Sequence, residues 1–429
     1  MRVPVSKIGE KMLLAGFFLT PFTTLRFGFV GPGEILILSA ALIAVYTHGG
    51  ALRLDARMQI FYRYWTALLT IMFLGLCYNS FSTSPSGRPG TPLFDFFAYI
   101  FILLSIVVTG HYSHNKVDFA MNFFRVLFLY WSLFYVALYA ISFFTPSIFG
   151  MPLRYYSFFS PLVENVHQAA SITCAMGFVA LFLGTQSSVL LVKLFYIIIA
   201  VLFAIMALDS GSTKAMLGVV SGAIVSVAFL IGYRPWGKGR LHFNAMSILF
   251  TIIAALVLFA RYSDSIAYLA VQFFSENDGG GAREALYSVG FEHGLDSLVV
   301  GYGPGSHSPF AGRFSDAHNT TLTIFLQSGL LGVFAFALFI GGLMRKLSVH
   351  FALLGVFAAI GMYVLGGDIL RRLPIWIMLM GIVYFAADVS IRATSNVRGA
   401  DWKSFYGLNS RGQLRGRPLS KASPQESLE

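Results

Sequence analysis

Charge is scarce in this sequence. Asp, Glu, Lys and Arg together make up 11% of its 429 residues, against about 25% in soluble globular domains. What is missing is missing in long blocks. No Asp, Glu, Lys or Arg occurs from Val126 to Leu153, and none from Ala317 to Met344, and each block exceeds the roughly 20 residues that carry a helix across a bilayer. An ordinary soluble fold is excluded. Cysteine is equally sparse: Cys77 and Cys174 both lie in apolar segments, so there is no disulfide framework and no cysteine-based metal site. Several chemical signatures are absent as well. There is no Asp-x-Asp pair of the kind that holds a metal for nucleotide-sugar transfer, no phosphate-binding Walker loop, no His/Cys ligand spacing and no serine nucleophile elbow. Any chemistry is expected to need no metal or other cofactor and to use a donor whose leaving group is already good.

What is there is apolar sequence in regular blocks. About twelve spans are expected, near 11–27, 33–48, 60–79, 92–110, 118–144, 166–184, 189–208, 212–232, 242–260, 318–343, 349–367 and 373–391. The fold class is therefore an all-α polytopic membrane protein. No cleavable leader stands apart at the N-terminus, so the first apolar stretch is expected to be retained. The formal charge of +11 is spread between spans and in the tail, which fits topology better than nucleic-acid binding.

Lys and Arg set the orientation. Arg234, Lys238 and Arg240, then Arg345 and Lys346, the tail after Val389, and Arg2, Lys7 and Lys11 fall on one side of a twelve-span layout. That side is cytoplasmic by the positive-inside rule. The one long loop, 261–317, carries seven acids against three bases and is expected to face the periplasm. Residues 1–395 then form the membrane domain and 396–429 a disordered cytoplasmic tail.

The informative residues are the cations that break this rule. Arg154, Lys214, Arg283, Arg313, Arg371 and Arg372 are all expected near the outer face. Lys214, in "LDSGSTKAMLGVVSG", follows a very short turn and enters a span at once, and an ionisable group at that depth is a functional candidate by default. The bland alternative is that it snorkels outward or pairs with Asp209. Arg371 and Arg372 read equally well as interfacial anchors. Several cations at an outer membrane surface suit a lipid-borne phosphate or pyrophosphate, which guanidinium forks and ammonium groups both bind.

Within the loop, "GGGAREALYSVGFEHGLDSL" predicts an amphipathic helix over 282–298 with Arg283 in its first turns, and "GYGPGSH" predicts a tight turn rather than a dinucleotide fingerprint. Then "FSDAHNTTLTIFLQSGLLGVFAF" places His318 and Asn319 at the mouth of the tenth span. Asp316 or Asn319 serves as a helix cap. Capping does not call for a histidine, and a neutral imidazole there suits removal of a proton from a sugar hydroxyl. His167, after Glu164 and Asn165, is expected to line the same outward cavity. His111 and His114 fall in a cytoplasmic turn and His307 in the loop.

These stretches together, "GAREALYSVG", "SLVVGYGPGS", "AHNTTLTIFLQSGLLGVFAF" and, upstream, "SGSTKAMLG", resemble the O-antigen ligase and O-antigen polymerase superfamily of bacterial membrane glycosyltransferases. The resemblance covers roughly 165–390 and is most specific over about 280–335. It implies a GT-C-like fold in the inner membrane and transfer of a glycan from undecaprenyl pyrophosphate at the periplasmic face. It implies His318 as base and Arg283 with Lys214 on the pyrophosphate. Arg154, Arg313, Asn319 and His167 are then further substrate-binding candidates. Lys214 stands where the family has arginine, keeping the charge but losing the bidentate fork. Gln327 stands where many members carry an acid.

Two acceptors fit. A second lipid-linked repeat unit makes the protein a polysaccharide polymerase, slightly favoured because the superfamily has many exopolysaccharide members, and lipid A-core makes it an O-antigen ligase. A reading of another class is a non-catalytic flippase or transporter of lipid-linked oligosaccharide, which predicts ionisable groups strung through the bilayer midplane.

Overall fold

In lipid, burying apolar surface does not by itself draw helices together, so close packing of small and aromatic side chains must do so. The computed structural model shows both, and it describes residues 5–26, 30–80, 91–114, 116–155, 157–163, 165–232, 280–310 and 313–405. In chain order the helices are α1 (Val5–Leu19), α2 (Pro32–Thr47), α3 (Gln59–Ser80), α4 (Thr91–Tyr112), α5 (Val117–Ile141), α6 (Val166–Gln186), α7 (Leu190–Asp209), α8 (Thr213–Gly232), α9 (Gly280–Leu295), α10 (Thr320–Leu347), α11 (Phe351–Gly366) and α12 (Leu373–Phe405). Two small hairpins, β1 (Ser147–Ile148) with β2 (Met151–Pro152) and β3 (Arg154–Tyr155) with β4 (Phe158–Phe159), join α5 to α6, and β5 (Ser308–Phe310) pairs with β6 (Arg313–Ser315) before α10.

Eight of the described helices are long and apolar enough to cross a membrane, and α2 and α11 are shorter apolar helices. The chain is an all-α, multi-pass membrane protein. The expected span at 242–260 lies outside the described residues. Residues 396–405 of the expected tail continue α12, which runs to Phe405, and the rest of that tail lies outside the described residues.

Two helices are central: 83% of the membrane-crossing window of α6 and 72% of that of α12 is buried in the protein. Around α12, an aromatic stack does the packing. Tyr64 lies on Phe339 with centroids 4.4 Å apart, and Trp65 meets Trp376 edge-on at 4.8 Å. Between α8 and α11 the contact is made by small residues spaced four apart. A Cβ on Gly218 or Gly222 would lie 3.3 Å from the Ala359 carbonyl or 2.9 Å from that of Gly355. This small-xxx-small pairing lets the two backbones nearly touch and sets the end of α8 bearing Lys214 against the end of α11.

The tenth span is broken. Gly329, inside α10, has φ 59° and ψ −160°, and the chain from 298 to 303 is laid into the gap. Leu330 and Leu331 donate their N–H groups to the carbonyls of Leu298 and Val299 at 2.8 and 3.2 Å, while Tyr302 and Gly303 donate to Leu326 and Gln327 at 2.8 and 3.0 Å. These four backbone groups at the break are thus re-paired within the protein, as irregular backbone at membrane depth requires. The glycines of "GYGPGSH" do adopt left-handed backbone, at 301, 303 and 305. Gly301 and Gly303 bring the loop against backbone of α10 and α3 rather than against a ligand.

Gly329→Ala should therefore be among the most damaging single changes in the protein, because its Cβ has no place in left-handed backbone and strikes the backbone of Val299. A loss of about 3 kcal/mol or more, read as failure to purify as a monodisperse species or a large fall in melting temperature, is expected. A variant as stable as wild type contradicts the inserted-loop geometry.

Candidate active site

Helices α6, α8, α10 and α12 all begin at one end of the bundle, where α7 and α11 finish. Hydrogen bonds stitch these ends together. His167 Nδ1 on α6 lies 3.0 Å from the Ser212 hydroxyl that precedes α8. Asn319 accepts from the Leu322 N–H at 3.0 Å, capping α10, and its amide donates 2.9 Å to the carbonyl of Leu365 on α11. Thr320 donates to the carbonyl of Gly367 at 2.8 Å. Of the two expected caps, Asn319 takes the role. Asp316 instead accepts from the His318 N–H at 3.4 Å.

His318 itself is exposed and lies outside the helix, which starts two residues later. Its backbone is left-handed, φ 49°, a conformation that costs a residue with a side chain about 1 kcal/mol or more and that clusters at functional sites. The neighbouring geometry accounts for it. Asn319 is extended as a cap, and Asp316 is held by Arg371, so the two residues between them must turn, and His318 takes the left-handed backbone.

Lys214 reaches the same place from α8. Its stem covers Gly366, where a Cβ would lie 2.9 Å from the lysine Cε, and its ammonium sits 5.9 Å from the Tyr363 ring. Lys214 and the His318–Asn319 cap therefore both meet the last turn of α11. That helix terminus offers its carbonyls and its negative dipole end to the cation. Asp209, the partner considered for Lys214, is taken by Arg154 at 2.8 Å.

The remaining candidates divide. Arg154 is committed to structure: besides Asp209 it donates to the carbonyls of Ser157 at 2.7 Å and Ser142 at 3.3 Å, and its guanidinium lies 5.1 Å from the Phe143 ring centroid. It braces the hairpins against the turn before α8. His167 is exposed and bonded to Ser212, so it stands in the same pole as Lys214. Glu164 lies outside the described residues. The backbone of Arg283 lies in the first turn of α9 and that of Arg313 in β6, opposite Phe310, but their side chains are outside those described. Among the described residues no group of three or more His, Cys, Asp or Glu side chains gathers as a metal site.

The sequence did not disclose the hub of this pole. Arg371 makes ion pairs with Asp95 at 3.3 Å, with Asp368 at 3.2 Å and with Asp316. Asp95 is fully buried about one turn into α4 and accepts 3.1 Å from Gln327, whose own oxygen accepts from Tyr99 at 2.8 Å. Burial, reinforced by the nearby Asp316 charge, pushes the Asp368 carboxyl up. For Asp316 burial opposes ionisation, but Arg371, His318 and His307 outweigh it and hold its carboxyl below the usual range. The signal that could have found it is Asp95, an acid inside the span expected at 92–110. Asp95 needed a buried cation, and Arg371 was the cation without another reason to be where it is.

Residues 198–339, from α7 to the middle of α10, match the family model described as O-Antigen ligase. That stretch is about a third of the chain, and its likeness supports the O-antigen ligase/polymerase superfamily. No curated protein and no solved structure matches it. Of the groups at this pole, the match takes in Lys214, Ser212, Asp316, His318 and Asn319. The superfamily's association with ligases and polymerases supports a glycosyltransferase-type enzyme with lipid-linked substrates.

Arg371→Leu leaves three carboxylates unpaired in a largely buried site, and a loss of about 3–5 kcal/mol is expected. Arg371→Lys should recover only part of this, since an ammonium does not reproduce the fork. Thermal melts of the purified variants check it, and a lysine variant equal to wild type would show that charge alone suffices.

Proposed function

We propose that this pole binds the pyrophosphate of a lipid-linked glycan and transfers the glycan to an acceptor hydroxyl. The observation that carries the proposal is the meeting of Lys214 and the His318–Asn319 cap on the last turn of α11, among helix N-termini. Helix N-termini present free N–H groups and positive dipole ends. Lysine adds a full charge, and the ligand such an arrangement selects is anionic. A pyrophosphate held there leaves its glycan beside an exposed imidazole.

The reaction follows from the chemistry of these groups. The acceptor oxygen attacks the anomeric carbon as His318 takes its proton. The bond from that carbon to the pyrophosphate oxygen breaks, and its electron pair leaves with the pyrophosphate. Lys214, the helix N-termini and Arg283 stabilise the charge that develops. Attack opposite the leaving group inverts the anomeric centre. No metal is required, because fixed cations neutralise the leaving group. The donor in this reading is undecaprenyl pyrophosphate-linked glycan, and the pole faces the periplasm across an inner membrane.

The acceptor is slightly favoured to be a second lipid-linked repeat unit, which makes the protein a polymerase, with lipid A-core as the ligase alternative. Purified protein incubated with a lipid-pyrophosphate-linked repeat unit, with and without lipid A-core, separates them. A ladder from donor alone means polymerase, and attachment only when core is present means ligase. His318→Ala should fold normally, still bind donor and lose product formation by about 100-fold or more. Full product formation by that variant overturns the assignment of the base. Wild-type protein that moves donor across liposomes without joining sugars overturns the transferase reading.

A further inference from the structure

Two arginines stand side by side at the start of α12, and the protein treats them differently. Arg372 caps the helix, its carbonyl accepting from Ile375 at 2.9 Å and Trp376 at 3.4 Å. Cations are disfavoured at this end, where the helix dipole is positive. Arg371 is compensated by Asp95, Asp316 and Asp368. Arg372 is not. Among the described residues no carboxylate makes an ion pair with it, and Asp368, the acid that acts on it at longer range, is held by Arg371. Its side-chain hydrogen bond is a donation from Nη1 to the neutral amide oxygen of Gln168 at 2.7 Å, and its Nε is shielded from solvent with no hydrogen-bond partner. A guanidinium has five N–H donors to satisfy.

The place is also right. Gln168 follows His167, which is bonded to Ser212 at the start of α8. The charge of Arg372 acts on Tyr363, the residue whose ring lies 5.9 Å from the Lys214 ammonium. Through Gln168 and His167, Arg372 therefore belongs to the same pole of the bundle as the start of α8 that carries Lys214.

We infer that Arg372 is a phosphate ligand for the lipid-linked donor, held in position by Gln168. It supplies the planar bidentate fork that lysine at 214 does not. The anion that offsets its charge at the helix terminus is the substrate's own. This rests on the donor chemistry proposed above and assigns it a residue for which the sequence left phosphate binding and interfacial anchoring both open.

The test uses the full-length protein in detergent, with farnesyl pyrophosphate as probe and affinity and melting temperature measured together. Arg372→Gln should weaken binding by about 10- to 100-fold, with Arg372→Lys intermediate. Gln168→Glu is the sharper variant. It offers Arg372 a carboxylate in place of the amide, so it should keep or raise the melting temperature while weakening the probe by a similar factor, and it decides the matter should Arg372→Gln fail to fold. Wild-type affinity in Gln168→Glu overturns the role of Arg372 and leaves the donor proposal standing, provided Lys214→Gln still binds more weakly. No binding by wild-type protein, or wild-type affinity in Lys214→Gln, removes the donor proposal and this inference with it.

Discussion

A guanidinium set among carboxylates at the edge of a membrane domain is the constraint on which the rest of the site depends. Arg371 draws together Asp95 from α4, Asp316 from the strand leading to α10 and Asp368 from the turn after α11. These segments are far apart in sequence, and among the described residues no other side chain forms ion pairs with all three. The charges cost several kcal/mol each to desolvate and recover that cost only together. Once Asp316 is fixed and Asn319 caps α10, His318 is forced into left-handed backbone and outward. Once Arg371 is fixed, Arg372 is fixed beside it. One structural network thus places the His318 imidazole and the Arg372 guanidinium at this pole.

The second constraint is the break in α10. A continuous span would carry its own hydrogen bonds and leave the loop before it outside the membrane domain. With Gly329 left-handed, the backbone groups of 326 and 327 pair with the loop, and those of 330 and 331 do the same. The loop becomes part of the bundle, packed against α3 through Gly75, with Asn79 donating to the Gly75 and Gly301 carbonyls. The polar pair of Gln327 and Asp95 sits beside the break. Local rigidity here supports a site a few residues away at the cap.

Much of the architecture was legible in the sequence because the bilayer makes it so. Apolar length alone marks spans such as α5, α6 and α7, and the helix expected over 282–298 appears as α9 at nearly that place. Asn319 as a cap was one of two alternatives, and Lys214 at the mouth of a span was visible from the shortness of its turn. The misses have a common cause: charge pairing across the chain leaves no local pattern. Asp209 pairs with Arg154, although in the sequence it was weighed only as a partner for Lys214. Arg371 and Arg372 looked equivalent because adjacent residues share every sequence property except their neighbours in space. The glycines of "GYGPGSH" gave the turn but not its reason, since close approach of two backbones and close approach to a ligand demand the same residue.

If Lys214 and Arg372 stand at this pole to bind a phosphate, a bound donor must lie between them. The most direct measurement is a cryo-EM structure of the protein in a lipid nanodisc with a polyprenyl pyrophosphate-linked glycan. Phosphate density is expected within hydrogen-bond reach of the Lys214 ammonium and the Arg372 guanidinium, with the first sugar facing His318. Phosphate density at the opposite end of the bundle, or away from both cations, contradicts it.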